Sequence, residues 1–372
     1  MNQTSRIIST YSADTFGVCS ALFELGGMTV MHDASGCNST YTTHDEPRWY
    51  DMDSMVYISG LSEMEAILGD DEKLIGDIVA AAGELSPRFI AVAGTPIPTM
   101  TGFDFDAVAA LIEERTGIPA FGFAATGMNT YIHGASMALA ALAERFVEKR
   151  EKTEKTVNIL GLTPLDFSVN GSDASCVEIL ERKGWRVQSR WAMGSSLEEI
   201  AGSGGAAVNL VVSAAGLGAA KVLKRRFGTP YVVGVPYGEK WTALLLEALE
   251  KETQPKIPEL DGDDIVILGE GITSLSLACA IELETGRSAR VVCPTECDRE
   301  LLRGKDRLCR FEEEIEEAIQ GAKVVIADPL YQPICPAGVK FHALPAESFS
   351  GRIYREEIPN LIADFDHFVC EV

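Results

Sequence analysis

Short apolar runs alternate with amphipathic stretches along most of this 372-residue chain. After Pro87 the run Arg88-Phe89-Ile90-Ala91-Val92-Ala93 reads as a buried strand, 104–116 as a helix stopped by Gly117, and 119–123 as a second strand. That is one βαβ unit. The rhythm recurs with a strand at 157–160, a helix at 173–183 ending at Gly184 and a strand at 185–190, then a strand at 208–213, a helix at 217–227 ended by Gly228 and a strand at 231–235. A third set includes 265–268, 289–293 and 324–327. Strands this short and this apolar belong in parallel sheets covered by helices on both faces.

Punctuation between these sets suggests boundaries. The run Glu148-Lys149-Arg150-Glu151-Lys152-Thr153-Glu154-Lys155 offers no apolar residue to a core and reads as an exposed helix end plus linker. Thr253-Gln254-Pro255-Lys256-Ile257-Pro258 is a second joint. The expectation is an α/β chain of three Rossmann-like parallel-sheet units around a central cleft, at about 1–150, 151–255 and 256–372.

Composition narrows the function classes. With 55 acidic against 32 basic residues the formal charge is −23, so the surface should repel phosphate backbones and anionic membranes. No apolar stretch approaches the roughly 20 residues that span a bilayer. The N-terminal MNQTSRIISTYSADTF lacks the layout of an export signal, which predicts a cytoplasmic protein. Nine cysteines in such a chain argue for thiols or metal ligands rather than structural disulfides.

Two of them stand out. Cys19 and Cys37, in YSADTFGVCSALFELGGMTVMHDASGCNSTY, each read as lying beside a turn and near small or polar residues (Gly17, Ser35, Gly36), where backbone amides can approach a sulfur ligand. They read as half of an iron–sulfur site. Two thiolates do not complete a four-cysteine cluster, so a second subunit would supply the rest.

The segment order resembles the component 1 family of nitrogenase and nitrogenase-like reductases, which includes the dark-operative protochlorophyllide reductases and the nickel-tetrapyrrole reductases. The family's H-G-P-x-G-C segment is matched by His32-Asp33-Ala34-Ser35-Gly36-Cys37, and its following S-x-x-E stretch by Ser62, Glu65, Gly69 and Leu74. RFGTPYVVGVPYG at 226–238 and PAESFSGRIYREEIPNLI near the C-terminus resemble two further family segments. The family commonly places a third cysteine where this chain has Gly94-Thr95-Pro96, so the resemblance implies a single 4Fe-4S cluster shared between subunits, held by Cys19 and Cys37 of each. Asp33 and Asp14 are weaker candidates for a ligand. Nitrogenase's own cofactor ligands are not matched: Ser213 follows the Asn209-Leu210-Val211 strand, and no histidine lies around Ser348–Arg352.

The resemblance implies a homodimer, or a heterodimer with a homologous subunit, an ATP-dependent iron–sulfur reductase as electron donor and a small organic or tetrapyrrole substrate. ATP hydrolysis belongs to that donor, because this chain has no G-x-x-x-x-G-K-[ST] loop. Candidates lining the cleft are Ser213, Tyr237, Tyr331 and Arg352, the last able to pair with a carboxylate, with His133 and His32 as proton donors. Ser62-Glu63-Met64-Glu65 has the form of a capping box and, in the family, lies near the donor's docking face. The spacing of Cys293-Pro-Thr-Glu-Cys297 is not that of common zinc or ferredoxin sites, and the Gly269-Glu270-Gly271 turn puts a carboxylate where a dinucleotide's pyrophosphate would sit. A cofactor-assembly scaffold of the same fold and a non-catalytic small-ligand-binding protein are the alternatives.

Overall fold

The computed structural model describes residues 6–7, 12–36, 38, 41, 45–262 and 264–372. Three parallel sheets follow one another along the chain. The first has strands β1 (Met28–Met31), β2 (Met55–Ile58), β3 (Ile90–Ala93) and β4 (Ala120–Phe123) in the order β2-β1-β3-β4. The second has β5 (Thr153–Leu160), β6 (Arg186–Arg190), β7 (Ala206–Val211) and β8 (Tyr231–Val233) in the order β6-β5-β7-β8. The third has β9 (Ile265–Leu268), β10 (Ala289–Cys293), β11 (Arg307–Leu308), β12 (Val324–Ala327) and β13 (Lys340–Ala343) in the order β11-β10-β9-β12-β13. Central strands β1, β3, β9, β10 and β12 are buried at every position, which is why they appear in the sequence as unbroken apolar runs rather than alternating ones.

Helix ends fall where the stop residues predict. The Phe105–Thr116 helix closes on Gly117 (φ 72°) and the Leu217–Phe227 helix on Gly228 (φ 70°), both in the left-handed conformation that only glycine adopts without steric cost. The charged run at 148–155 is not all linker. β5 starts at Thr153, but its first three residues are exposed and the pairing with β7 shifts register between Thr153 and Val157.

Cys19 departs from the turn expected of it. It lies inside the Asp14–Leu22 helix, which is buried at every position but Phe16. Nearby Gly17 serves helix packing rather than a sulfur ligand, because a Cβ there would overlap the carbonyl oxygen of Tyr131 in the Tyr131–Arg145 helix. Gly134 meets Asp14 from the opposite side in the same way. Two glycines thus bring the helices to backbone contact. Asp14 secures the entry to the second helix, accepting from the backbone amides of Thr126 (3.0 Å) and Gly127 (2.7 Å) and from the Asn129 side chain (3.1 Å).

Candidate functional site

A cleft of about 720 Å³, its mouth included, opens at the carboxyl ends of β9 and β12 beside the turn that follows β5, between the second and third sheets. Parallel sheets place ligand sites at this end of their strands. Phe167, Leu268, Phe349, Leu361 and Ile362 form apolar walls, and the polar lining includes Asp166, Glu270, Asp328 and Tyr237. Among the described residues no lysine, arginine or histidine lines it.

Local structure sets each carboxyl. Thr163 caps the single turn Pro164–Phe167: its hydroxyl receives the Asp166 amide and donates to Asp166 Oδ2 at 2.8 Å. The Tyr131 hydroxyl donates to Asp166 Oδ1, and the Ser213 hydroxyl, whose proton goes to the Gly161 carbonyl, lies beside this carboxyl. Glu270 is the N-cap of the Gly271–Thr285 helix and accepts from the amides of Ile272 (3.0 Å), Thr273 (2.8 Å) and Ala214 (3.0 Å). Asp328 accepts from the amides of Leu330 (3.0 Å) and Ala346 (2.9 Å) and from the Ser350 hydroxyl (2.7 Å).

Burial and the neighbouring Glu270 charge push the Asp166 carboxyl up to about 7. Burial also raises Glu270, against the pull of its amides, and raises Asp328. Two electrostatically coupled acids in one cleft cannot both ionise cheaply, so the pair holds a proton to higher pH than free carboxyls would. Asp166 is its natural holder. The amides at Glu270 can only donate, whereas the hydroxyls at Asp166 can turn to accept.

The structure distributes the anticipated site residues among several places. Tyr237 lines the cleft. Ser213 lies behind it, donating to the Gly161 carbonyl at 2.7 Å as well as contacting Asp166. Tyr331 is buried against Phe349, ring centroids 5.6 Å apart, and supports the cleft wall from outside. Arg352 is exposed and reaches toward Asp45 (3.8 Å), away from the lining residues. His133 is exposed on the first turn of its helix.

His32 directly follows β1 in the first sheet, with Nδ1 2.9 Å from the Ser59 hydroxyl and its ring 4.5 Å from that of Phe103. Burial lowers its pKa to about 4, so it is neutral at pH 7. Neighbouring Asp33 is occupied by the Thr95 hydroxyl (3.1 Å) and the Asn38 amide (2.7 Å), and Pro96 opens a short helix behind Thr95.

Cys19 is a free thiol with no exposed surface. It shares an apolar cluster with Phe23, Met31, Tyr41 and Val56, beside Phe16. Burial, with Glu46 adding to it, raises the thiol far above its usual range. Around it the Tyr41 hydroxyl donates to Glu46 (2.9 Å), and the buried Arg48 guanidinium bonds Glu46 (2.6 Å) and the Ser20 carbonyl (2.8 Å). Cys37 lies outside the described residues.

Elsewhere, Ser62 and Glu65 form the capping box, at the start of a helix with no buried residue. Cys293 and Cys297 sit against Gly271, whose Cβ would fall 3.4 and 2.5 Å from their sulfurs. Among the described residues no three histidines, cysteines or carboxylates converge as a metal site.

A family model described as nitrogenase component 1 type oxidoreductase matches residues 15–263. The chain belongs to that family. Members similar to this component 1 chain include the nitrogenase iron-molybdenum cofactor biosynthesis protein NifE of Clostridium pasteurianum, 28% identical over 49% of this chain and 40% of that protein. NifE of Rippkaea orientalis is 26% identical over 72% of this chain and 57% of its own length. One subunit of the light-independent protochlorophyllide reductase of Nostoc punctiforme is 25% identical over 53% of this chain and 41% of its own length. The chain thus spans about half the length of the curated relatives it matches. A solved structure titled "Nitrogenase Cp1 at pH 6.5" superposes on all of this chain and 94% of its own with a TM-score of 0.68 at 15% identity, which shows the shared fold.

The Asp166–Glu270 pair is only partly readable from sequence. Glu270 stands out as a carboxylate in a strand-to-helix turn, but its partner lies 104 residues earlier. The one local signal at Asp166 is the T-x-x-D cap spacing of Thr163 and Asp166 directly after a strand.

Proposed function

We propose that this chain is the catalytic component of a nitrogenase-like reductase. Its electrons come from an ATP-dependent iron–sulfur protein, pass through a 4Fe-4S cluster held by Cys19 and Cys37 with counterparts from a second subunit, and reduce an unsaturated organic substrate, a tetrapyrrole being one class, in the cleft. The observation that carries this reading is the family match over residues 15–263 together with a shielded, free thiol at Cys19. That thiol suits one ligand position. Among the described residues no cation bears on the ionisation of the sulfur, and the proton that burial retains on it is what a metal ion would displace. A cluster there would supply low-potential single electrons. Cys19 is covered in the single chain, so reaching a shared cluster requires its pocket to open.

The chain's own residues then bind and orient. The cleft's apolar walls exclude water and accept a planar or aliphatic ring, while its carboxyl and hydroxyl groups, with no cation among the lining, favour N–H-bearing uncharged or cationic groups over anions. Arg352 is not positioned to change that preference.

Anaerobic purification with iron and sulfide counts and electron paramagnetic resonance tests the reading. About four irons per dimer are expected, lost in Cys19→Ser and Cys37→Ser without loss of fold. A protein that stays iron-free after reconstitution ends it. The relatives named as cofactor biosynthesis proteins favour a second reading, an assembly scaffold, which would release a bound cluster to an acceptor and show no turnover.

A further inference from the structure

We propose that Asp166 is the proton donor of the cleft, with Glu270 as the fixed anion beside it and Tyr131 as the residue that positions its carboxyl; this rests on the reductase reading above. Asp166 lines the cavity and accepts hydrogen bonds from the hydroxyls of Tyr131 and Thr163. The ionisable groups facing it are Tyr131, Glu270 and Tyr237, none of them a cation. Burial raises both tyrosines, so they stay neutral and do not compete for the charge. Glu270 is held in place by three backbone amides and by the N-terminus of a 15-residue helix, an arrangement suited to a permanent anion. Burial makes the Glu270 charge costly and its amides offset part of that cost, so a second charge beside it at Asp166 is costlier still.

The chemistry balances. A double bond gains two electrons, one at a time, from the iron–sulfur donor. Two protons are added: Asp166 gives one, becomes a carboxylate, takes a proton from water at the cleft mouth and gives the second. A donor poised near working pH contributes about 100-fold or more to rate. Tyr131 adds a structural link. Its carbonyl is the atom that Gly17 abuts, two residues from Cys19, and its hydroxyl holds Asp166, so one residue spans the thiol-bearing helix and the cleft.

A substrate-independent test uses dicyclohexylcarbodiimide, an apolar reagent that adds only to protonated carboxyls, on the full chain, with the site read by mass spectrometry. Expected is labelling of Asp166 at pH 6 that falls several-fold by pH 9, and a fall that moves to lower pH in Glu270→Gln. No Asp166 adduct at pH 6, or labelling independent of pH, overturns the proposal. As the turnover probe, acetylene is reduced to ethylene by two electrons and two protons. Ethylene from the electron-loaded wild type that drops about 100-fold in Asp166→Asn at unchanged iron content supports the donor role. Equal production in both overturns it, and so does zero in both from protein that carries its iron. An iron-free wild type would sink the reductase reading instead, and the labelling result would still stand.

Discussion

The pocket around Cys19 and the cleft around Asp166 handle buried polarity in opposite ways. At Cys19 the surroundings are apolar and aromatic, and the nearby charges, Glu46 and Arg48, are spent on each other and on backbone carbonyls. At Asp166 three carboxyls stand in one cleft with no basic residue in its lining. The first arrangement suppresses ionisation of a thiol. The second keeps a proton within reach of a ligand. The fold keeps the two apart, one among the helices of the first sheet and the other between the second and third sheets.

The comparison can be broken most forcefully at the joint between the regions. Gly17→Ala should destabilise the protein by about 3 kcal/mol, because the new methyl overlaps backbone rather than a movable side chain. Denaturant unfolding measures it, and a loss below about 1 kcal/mol would show that the two helices can separate freely. Next in size are two opposed pH effects. The native Asp166 binds its proton more tightly than the unfolded chain does, so its contribution to stability falls as pH rises from about 4 to about 7 and is level above that. Asp166→Asn should therefore gain on wild type by on the order of 2 kcal/mol between pH 5 and pH 8.

His32 runs the other way. Its native pKa near 4 lies below the unfolded value, so its contribution is full above about pH 6.5 and is lost as pH falls toward 4. A His32→Asn variant should lack that acid sensitivity, a difference on the order of 2 kcal/mol seen in thermal melts between pH 7 and pH 4.5. Parallel pH profiles for wild type and both variants would erase the contrast between the two regions.

The smallest effect concerns the exposed helix Glu63–Leu68. Ser62→Ala removes its cap at about 1 kcal/mol or less, with global unfolding unchanged because that helix buries nothing. Under the reductase reading, electron delivery from the donor protein should slow while iron content holds. Equal delivery would place the docking face elsewhere.

Much of this architecture is legible in the chain itself. The helix stops at Gly117 and Gly228, the capping box at Ser62 and the apolar strands β9, β10 and β12 each depend on residues within one or two turns of one another, and local sequence carries such information directly. The candidate site is less readable. Tyr237 can be found as an aromatic beside a strand end, yet Arg352 and His133 fall outside the cleft, since residue type says which chemistry is possible and not which way a helix turns it.

From the sequence alone follow the α/β class, the acidic surface, the family motif order and the identity of the thiols, because periodicity and spacing are properties of neighbours along the chain. Only the tertiary structure decided that Cys19 lies in a helix, that Gly17 and Gly134 exist to let two backbones touch, and that Asp166 meets Glu270 and Tyr131. Those partners come from distant segments, and their proton affinities arise from burial and mutual charge, which exist only once the sheets have closed around them.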